Sequence, residues 1–182
     1  LGGLSIKTIA PDHGIIWRSD PGKIISAYTD WAAGKTIDKA LVVYDSMWHS
    51  TAKMASAIVD GLLEEGIEVK SYNLTSTDKS DIMTDVLDAK ALIIGSPTLN
   101  NGMFPSVAEF LCYLKGLKPK NKIGATFGSY GWGGGATKAV RQEMDEMGIE
   151  MIADDLTFKW VPEEAELAQC VEFGGNIAKK MK

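Results

Sequence analysis

Three short stretches of the chain carry residue types at spacings that suit ligand chemistry. Ser46-Met47-Trp48-His49-Ser50-Thr51 sets three hydroxyls in a turn that enters a helix, where unpaired backbone N–H groups and the helix dipole favour an anion. Hydroxyls so spaced can wrap a phosphate without a cation. The nearest lysine, Lys53, lies a turn inside the helix, so the pocket implied is electroneutral. By itself this cluster reads equally well as helix capping, with Ser50 or Thr51 as the N-cap. In Ser96-Pro97-Thr98-Leu99-Asn100-Asn101-Gly102-Met103, Asn-Gly marks a turn whose peptide can adopt positive φ and so let the backbone approach a flat ligand. Ser129-Tyr130-Gly131-Trp132-Gly133-Gly134 sets two aromatics among glycines, leaving the main chain free to hydrogen-bond a ring edge while an aromatic stacks on its face. Either of these last two loops alone could be structural. Together the three describe a site for a phosphorylated planar aromatic molecule.

Two other phosphate motifs fail on counting. Gly34-Lys35-Thr36 resembles the end of a Walker A loop, but the first glycine would fall at Thr29. The run Gly131 to Gly135 does not fit G-x-G-x-x-G, because Ala136 stands in the last place, and it follows a fourth strand rather than a first.

The elements that position the loops are legible from Asp38 onward. Strands are expected over residues 40–45, 67–72, 91–95, 122–127 and 150–158. Helices are expected through Ala52 to Leu62 with a stop at Gly66, near 81–89, over 104–115 and 136–147, and after Pro162. This alternation implies an α/β fold: a three-layer, doubly wound, five-stranded parallel sheet with helices on both faces. Ligands of such sheets bind beyond the carboxyl ends of the strands, where all three loops fall. Residues 1–37 lack the rhythm. There Ser19-Asp20-Pro21 supplies a cap and a first-turn proline, Ile24, Ile25, Tyr28 and Trp31 recur at helical spacing, and Gly34 ends the helix. The stretch is below the roughly 40 residues at which unaided domains become improbable, and it is expected to be a piece of something larger.

With 19 Lys and Arg against 24 Asp and Glu the net charge is −5, which excludes a nucleic-acid binder working by bulk charge. A 45% hydrophobic, 24% charged composition is that of an ordinary globular chain. No apolar run of about 18 residues and no basic-then-apolar leader occurs, so a cytoplasmic protein with no membrane association is expected. Cys112 and Cys170 have no C-x-x-C spacing and are expected to be two buried free thiols.

Flavin mononucleotide (FMN) is the candidate ligand, and here the sequence resembles the flavodoxin-like fold and, more narrowly, the flavodiiron proteins. Tyr44 to Thr51, Ser96 to Gly102 and Gly128 to Gly134 look like that family's three flavin loops, with His49 standing where glycine is common. The resemblance implies the strand order 2-1-3-4-5. Ser46, Ser50 and Thr51, with the backbone of Met47 to Ser50, are expected to bind the phosphate. Thr98, Asn100 and Asn101 are expected at the ring edge, and Trp132 or Tyr130 stacked on the ring. Trp48, His49, Pro97, Leu99, Gly102, Ser129, Gly131, Gly133 and Gly134 complete the loops. Ala10-Pro11-Asp12-His13-Gly14, with Ile15-Ile16-Trp17-Arg18, looks like the last segment of the family's metallo-β-lactamase-like domain, in which the matching histidine ligates iron. The H-x-E-x-D-H cluster is missing, and one histidine cannot hold two irons, so His13 is a metal ligand only in an intact parent.

The domain reading is therefore 1–37, the end of a diiron domain plus linker, and 38–182, an FMN-binding domain. The family implies an oxidoreductase that takes electrons at FMN from rubredoxin, a flavin reductase or reduced deazaflavin. Its diiron centre reduces dioxygen to water or nitric oxide to nitrous oxide, in a homodimer or homotetramer whose protomers meet head to tail. The alternatives are a free-standing NAD(P)H or quinone flavoprotein reductase and a phosphate-responsive receiver domain.

Overall fold

The computed structural model describes residues 3–182, which fall into two compact units, one ending at Lys35 and the other Thr36–Lys182. The boundary lies two residues before the expected one. In the first unit an antiparallel bridge joins Ile9 to Trp17, and helix α1 (Pro21–Ala33) opens on the proline whose missing N–H costs nothing at a first helical position. Gly34 ends α1 at a left-handed φ of 68°, its N–H reaching back to the carbonyls of Asp30 and Trp31. Asp20 stands at the N-cap position but makes no side-chain cap bond. Its φ of 50° is not the extended backbone that side-chain capping requires.

The second unit runs β1 (Ile37–Tyr44), α2 (Ser50–Glu64), β2 (Glu68–Asn73), α3 (Lys79–Val86), β3 (Ala89–Gly95), α4 (Pro105–Leu117), β4 (Ile123–Tyr130), α5 (Ala136–Glu146), β5 (Glu150–Met151), β6 (Leu156–Lys159) and α6 (Glu164–Met181). All pairings are parallel, in the order β2-β1-β3-β4 with β5 and β6 both on β4. The fifth sheet position is thus filled by two short strands where the sequence suggests one. Between the two strands the guanidinium of Arg141 in α5 donates to the Ala153 carbonyl and to Asp155 Oδ1, each at 2.5 Å.

Central strands buried on both faces need continuous apolar runs, and β1 and β3 supply them. Val42, Ile93 and Phe127 face α2 and α6 with Ile58, Leu62, Ile177 and Met181. Leu41, Val43, Leu92 and Ile94 face α3, α4 and α5 with Phe110, Leu111, Val140 and Met144. Each such side chain contributes roughly 1.5–3 kcal/mol by leaving water. Cys170 is buried, but Cys112 is exposed and not the buried thiol expected. Val107, Phe110, Leu111 and Leu114 take the inward stripe of α4 and turn position 112 outward.

Helices α2 and α6 meet backbone to backbone. A Cβ on Gly61 would lie 1.9 Å from the Val171 carbonyl oxygen, and one on Gly174 would lie 2.2 Å from that of Ile58. This contact fixes α2, whose N-terminus opens on the ligand edge. At the opposite edge Lys39 pairs with Asp85 (3.1 Å) and Asp88, and buried Lys122 donates to the Leu87 and Ala89 carbonyls at 3.1 and 2.6 Å. Burial pushes the Lys122 ammonium down to about 8. Among the described residues no helix is long and apolar enough to cross a membrane.

Candidate functional site

The carboxyl ends of β1, β3, β4 and β6 deliver four loops to one edge of the sheet. After β1, the buried carboxylate of Asp45 accepts hydrogen bonds from the Ser46 N–H (2.6 Å), Thr75 Oγ1 (2.9 Å) and Ser106 Oγ. His49 takes the N-cap of α2 at a φ of 64° with no side-chain cap, so neither Ser50 nor Thr51 caps the helix. Ser46 Oγ accepts the Ala52 N–H at 3.3 Å, and His49 O accepts the Lys53 N–H. The earlier N–H groups of the first turn have no helical carbonyl to reach, as at any helix start.

After β3, Leu99 and Gly102 exchange two backbone bonds of 3.0 and 2.9 Å around Asn100 and Asn101. Both asparagines have positive φ, 51° and 61°, the requirement of a type I′ turn. The positive φ anticipated for this turn therefore falls on the two asparagines and not on Gly102. Ser96 Oγ accepts the Phe104 N–H, and the Thr98 N–H donates to the Ser129 carbonyl at 2.8 Å, tying this loop to β4. After β4, Gly135 has a φ of 142°, and a Cβ there would lie 2.3 Å from the Asn101 carbonyl oxygen. Only glycine lets these two loops close on each other. After β6, the Trp160 N–H donates to the Tyr130 carbonyl at 2.8 Å, and the Trp160 ring meets Trp132 edge-on at 5.0 Å and 76°.

Between the loops lies a cavity of about 360 Å³, within the range of roughly 300–1,000 Å³ usual for small-molecule sites. The first loop lines it with Met47, Trp48 and Ser50, the second with Pro97, Thr98, Asn100 and Asn101, the third with Ser129, Tyr130, Gly131, Trp132 and Gly133, and the fourth with Trp160 and Val161. None of these residues is charged. A second cavity of about 370 Å³ adjoins it and includes Gly134, Gly135, Thr137, Asp155 and Thr157. Trp48 and Trp132 are 80% and 90% exposed, so the core has no use for them.

A model of the flavodoxin family matches residues 42–174. The chain belongs to the flavodoxin family. It is 50% identical over 179 residues to a nitric oxide reductase of Moorella thermoacetica, a match covering 98% of this chain and 45% of the relative. It is 43% identical over 182 residues to a coenzyme F420H(2) oxidase of Methanocaldococcus jannaschii, covering 97% and 43%. Two solved structures share its fold. Rubredoxin oxygen:oxidoreductase from Desulfovibrio gigas has a TM-score of 0.93 at 41% identity, over 99% of this chain and 45% of that one. The flavodiiron protein from Giardia intestinalis has 0.91 at 36%, over 97% and 44%. The chain spans a little under half the length of each.

Flavodoxin domains bind FMN, and the residues of this one fit it. Gly134 lines the adjoining cavity, and a Cβ there would meet nothing within 4 Å, so the main chain of the third loop is uncovered at that point. Ser50, the first residue of α2, lines the same space as the aromatic walls, at the helix end that favours an anion. The residues do not fit a diiron centre. Among the described residues no group of three or more His, Cys, Asp and Glu is placed to hold a metal ion, and His13 and His49 lie in different units.

Of the eighteen residues singled out in the sequence, twelve line the first cavity and Gly134 the second. Ser46, His49, Thr51, Leu99 and Gly102 line neither. Thr51 is fully buried and shares a 3.0 Å hydroxyl bond with Ser129. Ser46 bonds back into α2, His49 supplies the N-cap backbone, and Leu99 and Gly102 form the base of the asparagine turn. Trp160 and Val161 of this flavodoxin domain went unnoticed in the sequence because they follow β6, a strand that merges there with β5.

Proposed function

We propose that residues 36–182 form the FMN-binding electron-transfer domain of a flavodiiron oxidoreductase. The observation that carries this reading is the uncharged cavity at the carboxyl edge of the sheet, where one set of loops brings hydroxyl-bearing residues, the first residue of α2 and aromatic walls together. FMN supplies the redox chemistry when bound, and the chain binds and orients it. Ser50 Oγ and the first-turn N–H groups of α2 hold the phosphate. Thr98, Asn100 and Asn101 hydrogen-bond the ring edge, and Tyr130 and Trp132 flank the ring. Thr51 acts indirectly, by orienting Ser129.

Residues 1–35 correspond to the end of a metallo-β-lactamase-like domain, where His13 ligates metal in an intact parent. That whole protein reduces dioxygen to water, nitric oxide to nitrous oxide, or both. It works in the cytoplasm as a homodimer or homotetramer, with rubredoxin, a flavin reductase or reduced deazaflavin as donor.

Titration of the flavin-free protein with FMN, read by loss of flavin fluorescence, should end at one FMN per chain; no uptake overturns the reading. Reduced rubredoxin or reduced deazaflavin should then bleach the bound flavin without oxygen. Rapid bleaching by NADPH alone would instead make the domain a reductase.

A further inference from the structure

We infer that Trp160 is a flavin-positioning residue, so that the cofactor site is built from four loops and not three. The inference rests on the FMN reading and adds to it the loop after β6. Trp160 lines the cavity beside Val161, and its backbone has a φ of 67°. That region is sparsely populated for a bulky side chain, and residues held there gather at ligand sites. The Trp160 N–H is bonded to the Tyr130 carbonyl at 2.8 Å, which anchors the strained residue to the end of β4.

The ring then has two contacts on the third loop. It lies over Gly131, where a Cβ would come within 3.0 Å of it, and it meets Trp132 edge-on at 5.0 Å. Trp132 is 90% exposed, and Trp160 meets it as an aromatic partner. Trp160 therefore sets the direction of a side chain that would otherwise sweep the cavity mouth. Trp160 itself is 51% exposed, which leaves surface to meet a ligand. Neither ring carries charge, and the phosphate-side hydroxyl, Ser50, belongs to another loop. Trp160 should act on the flavin ring alone.

The test compares FMN with riboflavin, which has the same ring and no phosphate, on the full chain and on two variants. Trp160→Gly accepts the positive φ without strain, so it removes the ring and spares the backbone. Trp160→Phe keeps an aromatic edge. An edge-to-face aromatic contact corresponds to roughly two- to tenfold in affinity. The expected result is that Trp160→Gly weakens FMN and riboflavin by the same factor in that range, while Trp160→Phe recovers most of the loss. Unchanged affinity in Trp160→Gly overturns the inference, as does a loss confined to FMN or a Phe variant as weak as the Gly one. If the unmodified chain takes up neither flavin, the cofactor reading itself falls, and this inference with it.

Discussion

Asp45 decides whether the first loop is held in place, and its replacement can be worked through. The residue is 4% exposed, directly after β1, and its two carboxylate oxygens receive the Ser46 N–H, Thr75 Oγ1 and Ser106 Oγ. Three segments meet at that one side chain: the loop after β1, the turn after β2 and the first turn of α4. Asp45→Ala leaves three donors without their acceptor. A hydrogen bond to a charged group contributes roughly 1.5–3 kcal/mol, but Thr75 is an exposed residue and Ser106 a half-buried one, so both hydroxyls recover some water. One full loss and two partial ones sum to roughly 2–4 kcal/mol. At roughly 2–4 °C per kcal/mol for a chain of this size, the melting midpoint should fall by roughly 5–15 °C. Asp45→Asn keeps one acceptor oxygen and should lose about half as much. FMN affinity in the Asn variant should also fall, because the Ser46 peptide is the start of the phosphate loop. Calorimetry on the flavin-free proteins, followed by FMN titration, reads both quantities. An Asp45→Ala midpoint within about 2 °C of the parent, or an Asn variant as damaged as the Ala one, would refute the clamp.

Three further expectations follow from the packing and the titrating groups. Gly61→Ala and Gly174→Ala must each push α2 away from α6 and should cost roughly 1–3 kcal/mol or more in urea unfolding. Gly175→Ala, whose Cβ would come no nearer than 3.7 Å to the Gly61 carbonyl, should be neutral or slightly stabilising. Lys122 is held near 8 in the fold against 10.5 when unfolded, so the unfolded chain binds more protons between those values. Its contribution to stability should therefore be flat below pH 8 and rise toward pH 10.5, and Lys122→Met should lack that rise when urea midpoints at pH 7.5 and 10 are compared. Lys39 does not blur the comparison. Its burial is outweighed by Asp88 and Asp85, which hold its pKa above 10.5. A thiol reagent should label one cysteine in the native protein, Cys112, and the second only on unfolding, since burial pushes the Cys170 thiol up to about 12.

What the sequence disclosed and what it hid divide along the range of the interactions involved. Continuous apolar runs such as Ala91-Leu92-Ile93-Ile94 are typical of central parallel strands, and hydroxyls, Asn-Gly and aromatic glycines that follow such strands fall at the ligand edge. Strand existence and twelve of the lining residues follow from neighbours in the chain. The rest is set across the fold. No pattern within residues 150–158 announces the break between β5 and β6, where Arg141 of α5 bonds residues 153 and 155. Thr51 left the cavity because Ser129, far along the chain, offers its hydroxyl a buried partner. Cys112 could have been placed, since Val107, Phe110, Leu111 and Leu114 already fill the helical stripe. Trp160 could not. A tryptophan two residues before a proline carries no local mark of a left-handed φ, and its meaning appears only when Gly131 and Trp132 are brought against its ring. Glycine serves the third loop in two ways: Gly135 lets it close on Asn101, and Gly131 admits the ring of Trp160. A substitution at either position should therefore weaken flavin binding through a neighbouring loop, although neither glycine offers a side chain to the flavin.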